Sequence, residues 1–313
     1  MSRIKVDYGI DLGTTNSAIC RMENGNPVII KSDQFQKDTT SSCVAINKKQ
    51  IISCGDVAYN ARGKSFAKLS NNPDATVDDT YIEFKRSMGT DTEYPSIHLG
   101  RSLSSQELSA EVLKKLKSYV TDENVAHAVI TVPAKFNSTQ INATQEAAEL
   151  AGLAYCELLQ EPTAASIAYG IKAETMDGRW LVFDFGGGTF DAALMEVDEG
   201  IMSVVDTEGD NHLGGKDIDF AVVDDILIPH LQSKYSIGSH LEDESSKSVL
   251  RDLLKKYAEE TKIALSSKDS HAIYEAGIIE EDDEGEEVDL DLTIPLTQYE
   301  SIVEPIFQKA VNI

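Results

Sequence analysis

Two short segments carry the residues best suited to holding a polyphosphate. Tyr8-Gly9-Ile10-Asp11-Leu12-Gly13-Thr14-Thr15-Asn16 and Leu181-Val182-Phe183-Asp184-Phe185-Gly186-Gly187-Gly188-Thr189-Phe190-Asp191 each run as a strand that ends in an aspartate and turns through glycine and small hydroxyl residues. Such a turn leaves successive backbone N–H groups pointing outward, and the missing Cβ of glycine lets an anionic oxygen approach them. Asp11 and Asp184 are placed to hold the metal ion that accompanies a polyphosphate. Either copy alone also reads as an ordinary β-hairpin, since Asp and Gly mark turns for conformational reasons. The repetition in register, with each copy continuing into a strand-like run at Ala18 to Met22 and Ala192 to Val197, favours two related lobes gripping one polyphosphate.

The elements around these turns follow from pattern. Strands are expected at Lys5 to Asp11, Ser17 to Met22 and Pro27 to Lys31, an antiparallel meander with a turn at Glu23-Asn24-Gly25-Asn26. A hairpin at Ser42 to Ile46 and Gln50 to Ser53, then helices at Asp56 to Leu69 and Tyr81 to Met88, read as an insertion. Ser104-Ser105-Gln106-Glu107 is a capping box opening a helix with Leu108, Val112, Leu113, Leu116 and Val120 on one face. A strand at Ala126 to Val132, a helix at Ser138 to Ala151, a strand at Tyr155 to Leu159 and a helix at Pro162 to Tyr169 complete a first lobe over 1–171, with its insertion at about 32–104. The second lobe, 172–313, begins alike with strands near Trp180 to Asp184, Phe190 to Val197 and Ile201 to Asp206 and a helix from Gly215 to Leu231. Its insertion spans about 216–295, with a helix between Ser245 and Leu265 and a hairpin of Ala272 to Ile279 and Val288 to Ile294. The acidic tip of that hairpin, Glu280 to Glu287, reads as a solvated loop rather than a metal or partner site. After the final helix near Thr297 nothing corresponds to Asn124 to Gly170 of the first lobe. The second lobe is therefore expected to be incomplete, with an open sheet edge and uncovered apolar surface.

Composition narrows the function classes. At 313 residues, two packed units are the default. A formal charge of −25, from 53 acidic against 28 basic residues, argues against a duplex nucleic-acid binder. An acidic chain that binds a polyanionic nucleotide needs backbone dipoles, a divalent cation and a few lysines to neutralise it locally. Cys20, Cys43, Cys54 and Cys156 form no Cys-x-x-Cys pair and read as reduced thiols, although Cys43 and Cys54 could meet across a hairpin. Met1-Ser2-Arg3-Ile4-Lys5 begins no apolar leader, and no apolar run reaches the ~20 residues of a membrane span. A cytoplasmic protein is expected. The six histidines show no metal-ligand spacing.

The two turns, with Ile130-Thr131-Val132-Pro133-Ala134, Glu161-Pro162-Thr163-Ala164-Ala165 and Gly209-Asp210-Asn211-His212-Leu213-Gly214-Gly215, closely resemble the ATPase domain of the DnaK-like, 70-kDa heat-shock chaperones. The resemblance runs in order over essentially the whole chain and implies an α/β protein of the actin-like, ribonuclease H-like ATPase fold, each lobe a βββαβα-type sheet. It implies that Gly13, Thr14, Thr15 and Asn16 form a first phosphate loop, and Gly186, Gly187, Gly188 and Thr189 a second. Asp11 and Asp184 would orient the water shell of Mg, assisted by Glu161 and Asp191, one of which helps position the attacking water. Lys85 matches the catalytic lysine of the family; from the residues alone it reads as a surface lysine. Glu259, Lys262 and Ser266, at i, i+3 and i+7, match an adenosine-contacting helix, where a solvated surface is the alternative. Gly214 and Gly215 match a nucleotide-side loop or serve as a helix-entry turn. The implied ligands are ATP or ADP with Mg. The implied partners are a J-domain co-chaperone, a nucleotide exchange factor and, only through a further domain, client polypeptide, with neither nucleic acid nor membrane among them.

Two departures accompany the resemblance. Ile141 stands where the family usually has an arginine that relays nucleotide state, so interdomain coupling is in doubt. The second adenosine loop of the family, Gly-Gly-x-x-Arg, falls after the equivalent of Ile313. The leading expectation is an ATP-hydrolysing chaperone domain, weakly active in this form. A non-enzymatic relative acting as a binding module and a sugar or acetate kinase of the same fold are the alternatives.

Overall fold

The computed structural model describes residues 6–72, 74–173, 178–199 and 201–313. The start of the expected first strand at Lys5 lies outside the described residues. The chain divides into two compact units, Met1–Tyr59 with Asp79–His212 and Asn60–Asp78 with Leu213–Ile313.

In the first unit, β1 (Tyr8–Asp11), β2 (Asn16–Glu23) and β3 (Asn26–Ile29) form the antiparallel meander, and β4 (Thr40–Ser41) adds to β2. The hairpin β5 (Cys43–Ile46) and β6 (Ile52–Cys54) leads into α1 (Asp56–Asn71), and β7 (Asp79–Ile82) returns to pair with β5. A short hairpin, β8 (Tyr94–Ser96) and β9 (Arg101–Leu103), precedes α2 (Ser105–Lys117). That helix opens on the expected capping box: the Glu107 N–H donates to the Ser104 hydroxyl and the Ser104 N–H to the Glu107 carboxylate. There follow β10 (His127–Val132), α3 (Ser138–Leu150), β11 (Tyr155–Gln160) and α4 (Glu161–Ala173). Strand β10 lies parallel between β1 and β11, so the sheet order is β11-β10-β1-β2-β3.

Alternation explains the placement of β10, in which Ala128, Ile130 and Val132 are buried while their neighbours are half-buried. Helical spacing does the same for α2, whose Leu108, Val112, Leu113 and Leu116 share one core with Ile10, Ile19 and Ile130. Each such side chain contributes about 1.5–3 kcal/mol by leaving water. The four cysteines are free thiols, and burial pushes the Cys54 thiol well up.

A second antiparallel trio, β12 (Gly178–Phe185), β13 (Phe190–Asp198) and β14 (Ile201–Asp210), repeats the β1-β2-β3 pattern. Among the described residues β12 pairs with β13 alone, and its Leu181 and Phe183 are 67% and 50% exposed. An open edge therefore sits beside uncovered apolar side chains, as expected.

One expected helix is overturned here. Tyr81 to Met88 is not helical throughout: Tyr81 pairs with Val44 in the sheet, Glu83 turns into the left-handed region at φ 59°, and only Phe84–Ser87 forms a single 3-10 turn. The left-handed residue breaks the helical hydrogen-bond run and faces Phe84 and Lys85 inward.

The second unit takes in the rest of α1 from Asn60 onward. There Arg62 pairs with Asp252 at 2.8 Å and lies over the Phe66 ring, while the Glu280 N–H donates to the Asn71 side chain. The expected helix from Gly215 to Leu231 is present and continues to Lys234, as α5 (Gly215–Val222), a wide helical turn at Val223–Leu227 and α6 (Ile228–Lys234). In the wide turn the Ile228 N–H bonds to the Val223 carbonyl, five residues back, and Pro229 then supplies no N–H to restore the ordinary spacing. Helix α7 (Glu244–Leu265), the hairpin β15 (Ser270–Ile279) and β16 (Val288–Pro295), and α8 (Leu296–Val311) follow. The acidic tip is tied down: the Asp282 carboxylate accepts the N–H groups of Ser236, Glu284 and Glu286, and that of Asp283 accepts the Ser239 N–H. The backbone donors, Glu286 foremost, hold the Asp282 carboxyl below the usual range, and the Ser239 side chain together with its N–H does the same for Asp283. No helix among the described residues is long and apolar enough to cross a membrane.

Candidate functional site

Both glycine turns, Lys85, Glu161, Asp184 and Asp191 lie in the first unit. Gly13, Thr14 and Thr15 form the turn between β1 and β2, and Asn16 begins β2. The Gly13 N–H donates to the Ser17 hydroxyl at 3.0 Å, and the Ser42 hydroxyl donates to the Gly13 carbonyl at 2.7 Å. The two hydroxyls are 2.9 Å apart. Because Ser42 has already committed its proton, Ser17 donates to Ser42. This closed ring fixes both polar groups of Gly13. Neither serine carries a sequence signal, since the pairing links residues far apart in the chain. Ser42→Ala is expected to cost about 1–3 kcal/mol, because buried partners are left unsatisfied. Urea unfolding would check it, and a change below about 0.5 kcal/mol would contradict the ring.

The second turn, Gly186 to Thr189, joins β12 to β13 and is closed by the Gly186 N–H bonding to the Thr189 carbonyl at 2.9 Å. The two turns touch. A Cβ on Gly187 would lie 2.1 Å from Thr15 Oγ1, and one on Gly188 would lie 2.8 Å from Thr14 Cγ2, so glycine is required by close approach.

Four carboxylates gather beside the turns. Asp11 ends β1 and accepts a hydrogen bond from Thr131 Oγ1 at 2.9 Å, a partner that sequence reasoning did not assign. Asp184 and Asp191 stand directly opposite each other across the β12–β13 hairpin. Like charges in that position repel. Burial raises the Asp184 carboxyl, and the Asp11 charge raises it further. Burial, with Glu161 and Asp184 adding repulsion, pushes Asp191 up to about 6. Glu161 opens α4 and is raised mainly by burial, against the pull of Lys85. The Lys85 ammonium donates to Glu161 Oε1 at 2.7 Å and sits 5.8 Å from the centre of the Phe136 ring. Lys85 is 6% exposed, so the surface-lysine alternative fails.

One lysine cannot neutralise four carboxylates, and the remaining charge suits a divalent cation. Among the described residues no three His, Cys, Asp or Glu side chains could hold a metal ion together.

The other candidates lie in the second unit. Gly214 and Gly215 enter α5, where the Gly214 N–H donates to the Asp217 carboxylate at 2.8 Å. Lys262 on α7 donates to the Gly215 carbonyl at 3.2 Å and to Asp219 at 2.6 Å. Lys255, 4% exposed, reaches the other Asp219 oxygen at 3.4 Å. Glu259 is close enough to raise the Asp219 carboxyl, which burial raises first. Ser266 ends α7 and turns its hydroxyl onto the Ile263 carbonyl. The structure thus joins Gly215 to Lys262 through Asp219, a buried residue not marked by any motif reading. Asp219→Ala is expected to cost about 3–5 kcal/mol by leaving a buried ammonium unpaired. A urea midpoint unchanged from wild type would contradict that.

A sequence model of one family, described as Hsp70 protein, matches residues 7–313.

Proposed function

The chain belongs to the Hsp70 protein family of chaperone ATPases, and from that membership we propose that it binds MgATP between its two glycine turns and hydrolyses it. The fold is the actin-like ATPase fold of that family, here with the sheet order β11-β10-β1-β2-β3 and the repeated trio β12-β13-β14. The observation that carries the proposal is the buried Lys85–Glu161 pair, 2.7 Å apart, within the electrostatic reach of Asp11, Asp184 and Asp191 and on the same compact unit as both turns.

Asp11 and Asp184 would hold the water shell of magnesium, which when bound supplies positive charge to the phosphate oxygens. The N–H groups of Thr14, Thr15, Gly187, Gly188 and Thr189 would receive those oxygens, while those of Gly13 and Gly186 hold the turns closed, since phosphoryl transfer asks chiefly for positioning and charge stabilisation. Lys85 would meet the γ-phosphate. A water oxygen bonds to the γ-phosphorus, the bond to the bridging oxygen breaks with its electrons passing to ADP, and the proton of the water passes to Asp191. Asp191 faces Asp184 across the hairpin beside the second turn, and that position supports its carboxylate as the acceptor of the proton. J-domain co-chaperones and exchange factors are the partners that membership suggests, and client binding would need a further domain. Phosphate release from MgATP, measured with and without sugar or acetate, tests the reading. Equal rates yielding ADP and free phosphate support hydrolysis, whereas phosphate found on the acceptor would sink it.

A further inference from the structure

Arg86 follows Lys85 in the single turn Phe84–Ser87. Its side chain is 12% exposed. Nε donates to the Gly188 carbonyl oxygen at 2.9 Å, and Nη2 donates to the same oxygen. The contact is tight: a Cβ on Gly188 would lie 3.0 Å from Arg86 Nε. Glu83 lies 3.9 Å from Nη1 and is also the left-handed residue that sets the turn. A single backbone kink therefore sends one cation to Glu161 and the next to the second glycine turn.

The chemistry of that contact is specific. A trans peptide is planar, so the carbonyl of Gly188 and the N–H of Thr189 point in opposite directions. Fixing one fixes the other. The internal bond from Gly186 N–H to Thr189 O closes the turn, but it does not act on the peptide plane between residues 188 and 189. Were that plane to flip, a carbonyl oxygen would replace an N–H and repel a phosphate. We propose that Arg86 is a positioning residue for phosphate binding: by holding the Gly188 carbonyl with two donors, it sets the Thr189 N–H for an anionic oxygen. The inference rests on the nucleotide reading above. Two converging N–H groups on one rigid plane are a property of arginine that lysine lacks.

Calorimetric titration of MgADP and of adenosine into the wild type, Arg86→Ala and Arg86→Lys tests it. Arg86→Ala is expected to weaken MgADP by about tenfold, the scale of a lost charge-assisted hydrogen bond, while adenosine stays within about twofold. Arg86→Lys, with one donor in place of two, is expected to fall between, about threefold weaker at an unchanged melting temperature. Three results would overturn the assignment: MgADP affinity unaffected in Arg86→Ala, equal losses for MgADP and adenosine, or full affinity in Arg86→Lys, which would make bare charge sufficient. If Arg86→Ala does not fold, Arg86→Lys alone decides by the same criterion. A wild type that binds neither ligand overturns the nucleotide reading itself, an outcome distinct from a wild type that binds while the variants match it.

Discussion

Lys85→Ala should lower single-turnover hydrolysis of MgATP by about 10²–10⁴-fold, the range of a lost catalytic charge in a low-dielectric site, while MgADP affinity changes far less. The lysine is buried, and its partner is a carboxylate already raised by burial. Removing the ammonium leaves Glu161 to meet that burial alone, so its carboxyl rises further. The sign of the stability change follows. A carboxyl raised in the folded state favours folding below its unfolded pKa and loses that contribution as pH rises through its folded one. The variant should therefore lose little stability at pH 4 and substantially more at pH 8. Equal hydrolysis in variant and wild type, or a stability loss that does not grow with pH, would contradict the assignment.

Asp191→Asn should separate stability from activity in opposite directions. In the ligand-free protein Asp191 faces Asp184 across the hairpin, and burial with the neighbouring carboxylates pushes its carboxyl up to about 6, above the ordinary aspartate range. Its favourable contribution is complete below pH 4 and is lost as pH rises through 6. Asparagine removes the charge without removing bulk, so the variant should gain on the order of 1–3 kcal/mol at pH 7 and show a flatter stability profile between pH 4 and 6. Hydrolysis should fall by about 10²–10⁴-fold for want of a proton acceptor. Thermal melts across pH, paired with phosphate release, check both halves. A variant that is less stable at pH 7 yet fully active would remove Asp191 from the site.

The parts legible in the sequence were those set locally. The Asp-Gly turns declare themselves because close approach of neighbouring atoms demands glycine at Gly13, Gly187 and Gly188. The capping box at Ser104 and Glu107 marks its helix because both partners sit within one turn. What escaped is non-local or depends on a single dihedral. The apolar spacing of Tyr81 to Met88 suits a helix, and nothing in Glu83 announces the left-handed kink that turns Lys85 inward. Ser17 with Ser42, Thr131 with Asp11, and Arg86 with Gly188 are pairs that only the folded sheet brings together. Lys262 could be placed on a helix face from spacing, but its anchor Asp219 lies on another helix.

The most direct measurement is a calorimetric titration of MgADP into this chain, repeated with magnesium removed by chelation. If the two turns and their carboxylates form one site for a nucleotide and its cation, binding is saturable at one site with magnesium. Without magnesium it weakens by at least about tenfold, because the carboxylates then repel the phosphates. Saturable binding of unchanged affinity after chelation, or no saturable binding with magnesium present, would contradict the account.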